Sequence, residues 1–243
     1  MTGTRSTENA VVGDAERRTA LLGRGEQDPM VAPSRPALAG PPGADQRAGM
    51  RPPSGSTNRR RAVVEAASRM FAERGYRGTS LREISADVGI SHPGLLHYFA
   101  PKDALLAAVV GEIEQRAQSA IDRLLEGDRG VAEELIRQGL VDDPEHRQLV
   151  AVLCTEAIGH DHPLRLRIAR LRRVYERLAE HALRLCAEDG VVDPRVDIEW
   201  AARVLVSTSL GHATREATIG DIQPATAGTT APDCATLLAM LRA

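Results

Sequence analysis

Aromatic residues are scarce in this chain, six among 243: Phe71, Tyr76, Tyr98, Phe99, Tyr175 and Trp200. Cysteine is nearly as rare. Cys154, Cys186 and Cys234 stand far apart and in odd number. That excludes a disulfide framework and fits a reducing compartment, so a cytoplasmic location is expected. No C-x-x-C or H-E-x-x-H spacing occurs, which removes the usual zinc sites. The longest apolar run, Ala104 to Val110, falls far short of the roughly 20 residues a spanning helix needs. The N-terminus has no apolar core of the kind a secretion signal carries. Neither a membrane segment nor export is expected. Only one of the 31 basic residues, Lys102, is lysine. The arginine excess reads as the composition of a GC-rich genome, not as chemistry. There is no nucleophile elbow, phosphate loop or paired-carboxylate arrangement, so neither an enzyme nor a bound cofactor is expected.

What the chain does contain is unevenly distributed. Residues 1–57 hold 7 Pro and 8 Gly, with 7 Arg against 6 acids. Such a segment buries too little apolar surface to offset its ordering entropy, and disorder is expected. Residues 58–104 carry 8 basic and 5 acidic side chains, and residues 105–243 carry 16 and 22. A basic head on an acidic body is the sign pattern of a head that meets phosphate. A surplus of three charges on 47 residues is also common on solvated helical faces.

From Asn58 onward the periodicity is helical, and no strand-like alternation competes with it. The expected class is all-α: a helix-turn-helix head over 58–104 and a helical body over 105–243. Val63, Ala67, Met70 and Phe71 share one face of a first helix, with Gly75 as its stop. Ser80 and Glu83 form an S-x-x-E capping box that opens a second, short helix with Leu81, Ile84 and Val88 inward. Gly89 supplies the turn. Ser91 caps a third helix with Pro93 in its first turn, where a missing N–H costs little. A fourth helix starts at Lys102. Further helices are expected near 131–139, 145–159, 163–188, 197–219 and 233–242. In the clearest, Leu164, Ile168, Leu171, Tyr175, Leu178, Ala182 and Leu185 keep a 3–4 spacing.

Two short helices around a glycine turn place the second in a DNA major groove, its N-terminal residues foremost. Ile84, Val88, Ile90, Leu95 and Phe99 fix the crossing, and Arg82, Ser91, His92, His97 and Tyr98 remain outside. Three stretches, Phe71 to Ser80, Ile84 to Ser91 and Leu95 to Leu105, together resemble the DNA-binding domain of the TetR family. The resemblance is dense over 59–106; beyond it only length and helical layout are similar. It implies a homodimer joined through the last two helices, double-stranded DNA with an inverted-repeat operator as partner, and a small-molecule effector whose binding releases the DNA. It also implies roles for single residues. Thr79 and Ser80 match positions that cap the second helix and touch phosphate. Arg82 matches the residue that reaches DNA from that helix. Ser91 caps the recognition helix, and His92, Pro93 and Gly94 match the positions facing base edges. His97 and Tyr98 match the pair on backbone phosphates, and Lys102 the phosphate-binding lysine. A cation at a helix N-terminus opposes the macrodipole by about 0.3–1 kcal/mol, a conflict an anionic partner would remove. The sequence departs from the usual pattern at Leu96, where many members have tyrosine, and at Pro101, where many have serine.

In the body, Cys154, Tyr175 and Trp200 are candidates for lining a ligand pocket, each with the alternative of filling core. The few aromatics there favour a flexible or aliphatic ligand over a stacked planar one. His160, Asp161 and His162 suggest a metal only weakly, since no fourth ligand is fixed. The rival classes are a helical binding or assembly protein whose head is silent toward DNA, and a helical enzyme. Salt-sensitive DNA binding separates the first and turnover the second.

Overall fold

A computed structural model describes residues 55–139, 141, 143–219, 222 and 239–241. The chain divides into two units, Met1–Arg61 and Ala62–Ala243. The disorder expected for residues 1–54, and most of the helix expected at 233–242, lie outside the described residues. Gly55, Ser56 and Thr57, assigned to the tail by sequence, are already helical.

Eight helices carry the described residues, and no strand occurs among them. They are α1 Gly55–Arg74, α2 Leu81–Val88, α3 His92–Tyr98, α4 Lys102–Leu125, α5 Arg129–Gln138, α6 Pro144–Glu156, α7 Arg165–Glu188 and α8 Ile198–Ile219. The all-α class expected from the periodicity is the class observed. The boundary expected at 104/105 falls inside α4, which runs from the head into the body without a break.

The head core follows from the first amphipathic stripe. Val63, Ala67, Met70 and Phe71 are all buried, as are Ile84 of α2, Leu95 of α3 and Phe99 just beyond it. Val88 and Ile90, also expected to hold the crossing, are only half-buried. Their helices are too short to persist alone, because nucleation is costly and few bonds follow it. Their ends are therefore fixed by side chains and by this shared core.

The body is organised around α7, which packs against α4, α5, α6 and α8. Its buried stripe is Ile168, Leu171, Tyr175, Leu178, Ala182 and neighbours, as the 3–4 spacing predicts. Each such aliphatic side chain contributes about 1.5–3 kcal/mol on full burial. Leu164 and Leu185, at the ends of the expected seam, are only half-buried. Glu180, also on the buried side, is held by Arg173 at 3.2 Å and Arg184 at 3.5 Å. No helix is long and apolar enough to cross a membrane among the described residues.

Candidate nucleic-acid interface

The turn from α1 to α2 is built by Thr79 and Ser80, with different jobs. Ser80 is the N-cap: its hydroxyl accepts the Glu83 N–H at 3.3 Å, and the Glu83 carboxylate accepts the Ser80 N–H at 2.8 Å. The capping box read from the sequence is formed on both sides. These bonds hold the Glu83 carboxyl below the usual carboxylate range. Thr79 is different. Its hydroxyl donates to the carbonyls of Met70 at 3.1 Å and Gly75 at 2.9 Å, and the residue is only 2% exposed. The expected phosphate contact of Thr79 is thereby corrected: the hydroxyl is buried and committed to backbone carbonyls. It ties the end of α1 to the start of α2.

At the far end of α2, Gly89 takes φ 72°, a left-handed conformation that a side chain would oppose. Its N–H donates to Ala86 O and the Ile90 N–H to Ser85 O, closing the helix with two bonds. Two residues later Ser91 accepts the Gly94 N–H at 3.2 Å and opens α3, with Pro93 in the first turn. Gly89 is thus the pivot between two fixed ends. Leu95 is fully buried, which sets the rotation of α3. Ser91, Pro93 and His97 consequently face outward, with His92, Gly94 and Tyr98 half-exposed beside them. The His97 and Tyr98 rings meet edge to face at 5.9 Å. Arg82 is exposed on α2. Leu96 is exposed as well, at 38%, on the same short helix.

Lys102 occupies a place the sequence did not foresee. Its ammonium donates to the Tyr76 carbonyl and lies 4.1 Å from the centre of the Tyr76 ring. Burial lowers its pKa, against the pull of Glu156, Asp103 and Glu83. The conflict between a cation and a helix N-terminus is therefore met inside the molecule by a carbonyl, a ring face and the carboxylates of Glu156, Asp103 and Glu83. With these partners in place, the helix dipole alone does not call for a phosphate at Lys102.

Tyr76 belongs to a junction that fixes the head on the body. Its hydroxyl donates to Asp103 on α4, and burial and that carboxylate raise its pKa. Glu156, at the end of α6, accepts the backbone N–H of Tyr76 at 2.9 Å and of Arg77 at 3.4 Å. Gly75 has φ 75°, and a Cβ there would stand 2.6 Å from the Glu156 carboxylate, so only glycine permits the approach. Arg77 pairs with Asp161 at 2.5 Å, and the His162 ring packs edge-on against Tyr76 at 5.7 Å. His162 is 4% exposed; its Nδ1 accepts the Leu164 N–H. Two of the three residues that hinted at a metal are thus engaged with the head. Among the described residues no three His, Cys, Asp or Glu converge as a metal would require.

The three pocket candidates are not brought together. Cys154 lines a groove between α6, α7 and α8. Tyr175 is buried beside a separate cavity, near His146 and Arg116. Trp200 is 54% exposed near the start of α8 and lines neither, standing about two turns before Ser207 on the helix face that borders the groove. Sequence reasoning missed Glu156, whose partners lie about 80 residues away. A lone glutamate at a helix end carries no pattern that could have revealed it.

A buried three-helix core that turns the N-terminal end of a short capped helix outward defines a helix-turn-helix protein. The family model of bacterial regulatory proteins, tetR family, matches residues 63–109. The HTH-type transcriptional repressor AcnR of Corynebacterium glutamicum is 30% identical over 96 residues, 40% of this chain and 47% of that protein. AcnR of Corynebacterium diphtheriae is 28% identical over 164 residues, 67% of this chain and 83% of that one. The chain thus spans about half the length of some curated relatives and more of others. A solved structure concerned with control of antibiotic production by bacterial hormones is 27% identical, with a TM-score of 0.54, covering 78% of this chain and 95% of its own. The head, over residues 63–109, has the sequence of the tetR family of bacterial regulatory proteins.

Proposed function

We propose that this chain is a sequence-specific DNA-binding regulator of transcription, most simply a repressor, whose head over 58–104 reads double-stranded DNA. One observation carries the reading: Gly89, the two serine caps and Leu95 fix α3 so that Ser91, His92, Pro93, Gly94 and His97 form its outer end, with Arg82 beside them. His92 and the small Pro93 and Gly94 meet base edges, the latter two by apolar or backbone contact. Ser80, Arg82, His97 and Tyr98 position the helix on phosphates. Lys102 acts one step back, by holding the Tyr76 carbonyl.

The same reading includes a homodimer on an inverted repeat, since two heads related by a twofold axis require twofold DNA. It also includes a small-molecule effector that acts in the body, residues 105–243. Glu156 supports this part, because it links the end of α6 to the turn that carries α2. The hormone control attached to the 27% identical structure is consistent with it.

The test is selection of bound fragments from random duplex DNA with the purified full chain, followed by salt titration. An inverted repeat is expected, with a steep salt slope that falls by about one in Arg82→Ala. Arg82 is preferable to Lys102 here, because removing Lys102 also disturbs the Tyr76 junction. Folded protein that enriches no sequence at low salt would make the head a structural module.

A further inference from the structure

The cavity beside Tyr175 lies inside the body, walled by α4, α5, α6 and α7. Its volume is about 350 Å³, within the range of small-molecule sites. α8 contributes nothing to its lining among the described residues, and α7 contributes only Tyr175 and Leu178, both buried. A homodimer joined through the last two helices therefore leaves this cavity uncovered. Its floor is aliphatic: Ala120 of α4, Val131 and Leu135 of α5, and Leu178. Buried Arg147 donates to the Val141 carbonyl at 2.8 Å and fixes the wall that follows α5.

The rest of the lining is polar and of one sign. Arg116, Ser119, Ala120 and Arg123 stand at i, i+3, i+4 and i+7 on α4, one helix face over two turns, about 10 Å long. His146 and Tyr175 complete it, the phenol oxygen 3.5 Å from the imidazole Nε2. No carboxylate lines the cavity among the described residues. The acids that answer the two arginines stand outside it: Asp143 lies 3.5 Å from Arg116, and Asp128 lies 3.2 Å from Arg123. All four side chains are largely exposed, and such pairs hold weakly. An incoming anion can therefore take a share of either guanidinium. Arg116 and His146 also line a neighbouring cavity of about 320 Å³, closed on its other side by Glu65, Ser68 and Arg69 of α1. That one holds Glu65, Glu112, Asp143 and Glu145. The acids thus stay on the α1 side of Arg116 and His146, and the body side presents cations alone.

We propose that this cavity binds an aliphatic carboxylate, its chain against Ala120, Val131, Leu135 and Leu178 and its carboxylate on Arg116 and Arg123. The proposal rests on the effector reading above and names the ligand class of that site. α6 supplies the link to the head. His146 near its start borders the cavity, and Glu156 at its end, about 15 Å along the same helix, accepts the N–H groups of Tyr76 and Arg77.

The experiment is calorimetric titration of the full chain, without DNA, using octanoate, octanol and octylammonium. Octanoate is expected to bind at least about tenfold more tightly than octanol, as a charge-assisted pair on arginine requires. Octylammonium is expected to bind more weakly than octanol. The side chains of Arg116 and Arg123 are 59% and 62% exposed, so replacing both, Arg116→Gln with Arg123→Gln, keeps the urea midpoint and erases the advantage of octanoate over octanol. Ala120→Leu fills the cavity and weakens octanoate and octanol alike. Equal affinity for acid and alcohol, or octanoate binding unchanged in both variants, overturns the proposal. So does a chain that takes up none of the three probes. Because no DNA is present, failure here is separate from failure of the head to select an operator.

Discussion

The head and the body of this chain hold their helices by different means. In the head, helices of eight and seven residues are fixed at their ends: Ser80 with Glu83, Gly89, and Ser91 each satisfy backbone groups that the helix leaves open. In the body, the 24 residues of α7 have no side-chain cap at the N-terminus and persist through one long buried stripe. The contrast follows from length. A helix of two turns has almost as many open ends as closed bonds, so caps decide it. A helix of six turns buries enough side chains that its ends matter little. Exact placement of a few outer residues also needs fixed ends, and it is the head that has residues to place.

Four perturbations would break or sharpen this contrast. The largest effect is expected from Phe71→Ala, which empties the fully buried centre of the head. A loss of about 3–5 kcal/mol is expected in urea unfolding; a loss below about 1 kcal/mol would mean that the caps, not the core, hold the head. Next, Ser80→Ala should cost about 1 kcal/mol by removing an N-cap. Arg129→Ala should cost less, because its pair with Glu188 joins α5 to α7 in the open, with side chains 45% and 62% exposed. Midpoints of unfolding for the two variants, with unchanged slope, rank them directly; the reverse order would remove the distinction between capped head and packed body.

The smallest effect depends on pH and falls on the junction between the two regions. Burial lowers the pKa of His162, while Glu156 and Asp161 pull it up and Arg77 pushes it down. The folded state then binds fewer protons than the unfolded one as pH falls through the ordinary histidine range. Stability must therefore decline from pH 7 downward, starting near the unfolded value of about 6.5. His162→Phe keeps a ring against Tyr76 and removes the titration. Its unfolding midpoint should change less than the wild-type midpoint between pH 7 and pH 5.5, and equal changes would place the acid sensitivity elsewhere.

The sequence was informative where a cause lies near its effect. The Ser80–Glu83 box, the Gly89 turn, the Ser91 cap and the Ile168 to Ala182 stripe each arise within one or two turns of chain, and all were legible. Contacts that span the chain were not. Lys102 looked like a cation in need of an anion because nothing nearby in sequence hinted at the Tyr76 carbonyl. Thr79 and Ser80 are neighbours of the same chemical type, yet one is buried against Met70 and Gly75 and the other is exposed. Trp200 looked like pocket lining by residue type alone, and it stands exposed about two turns before the groove-lining Ser207. The clamp of Glu156 on Tyr76 and Arg77 joins three residues with no shared period, so no pattern could have pointed to it.

The unbroken course of α4 has a mechanical meaning. Its 24 residues, at about 1.5 Å of rise each, make a rod of roughly 36 Å. Lys102 and Asp103 at one end hold Tyr76, while Ala117, Ile121 and Leu124 are buried toward the other. A rod of that length turns a tilt of about 5° at one end into a displacement of roughly 3 Å at the other, close to the rise of about 3.4 Å between successive bases on a DNA strand. Small repacking around Ile121 and Leu124 is thus magnified at the Lys102 end, where Tyr76 is held.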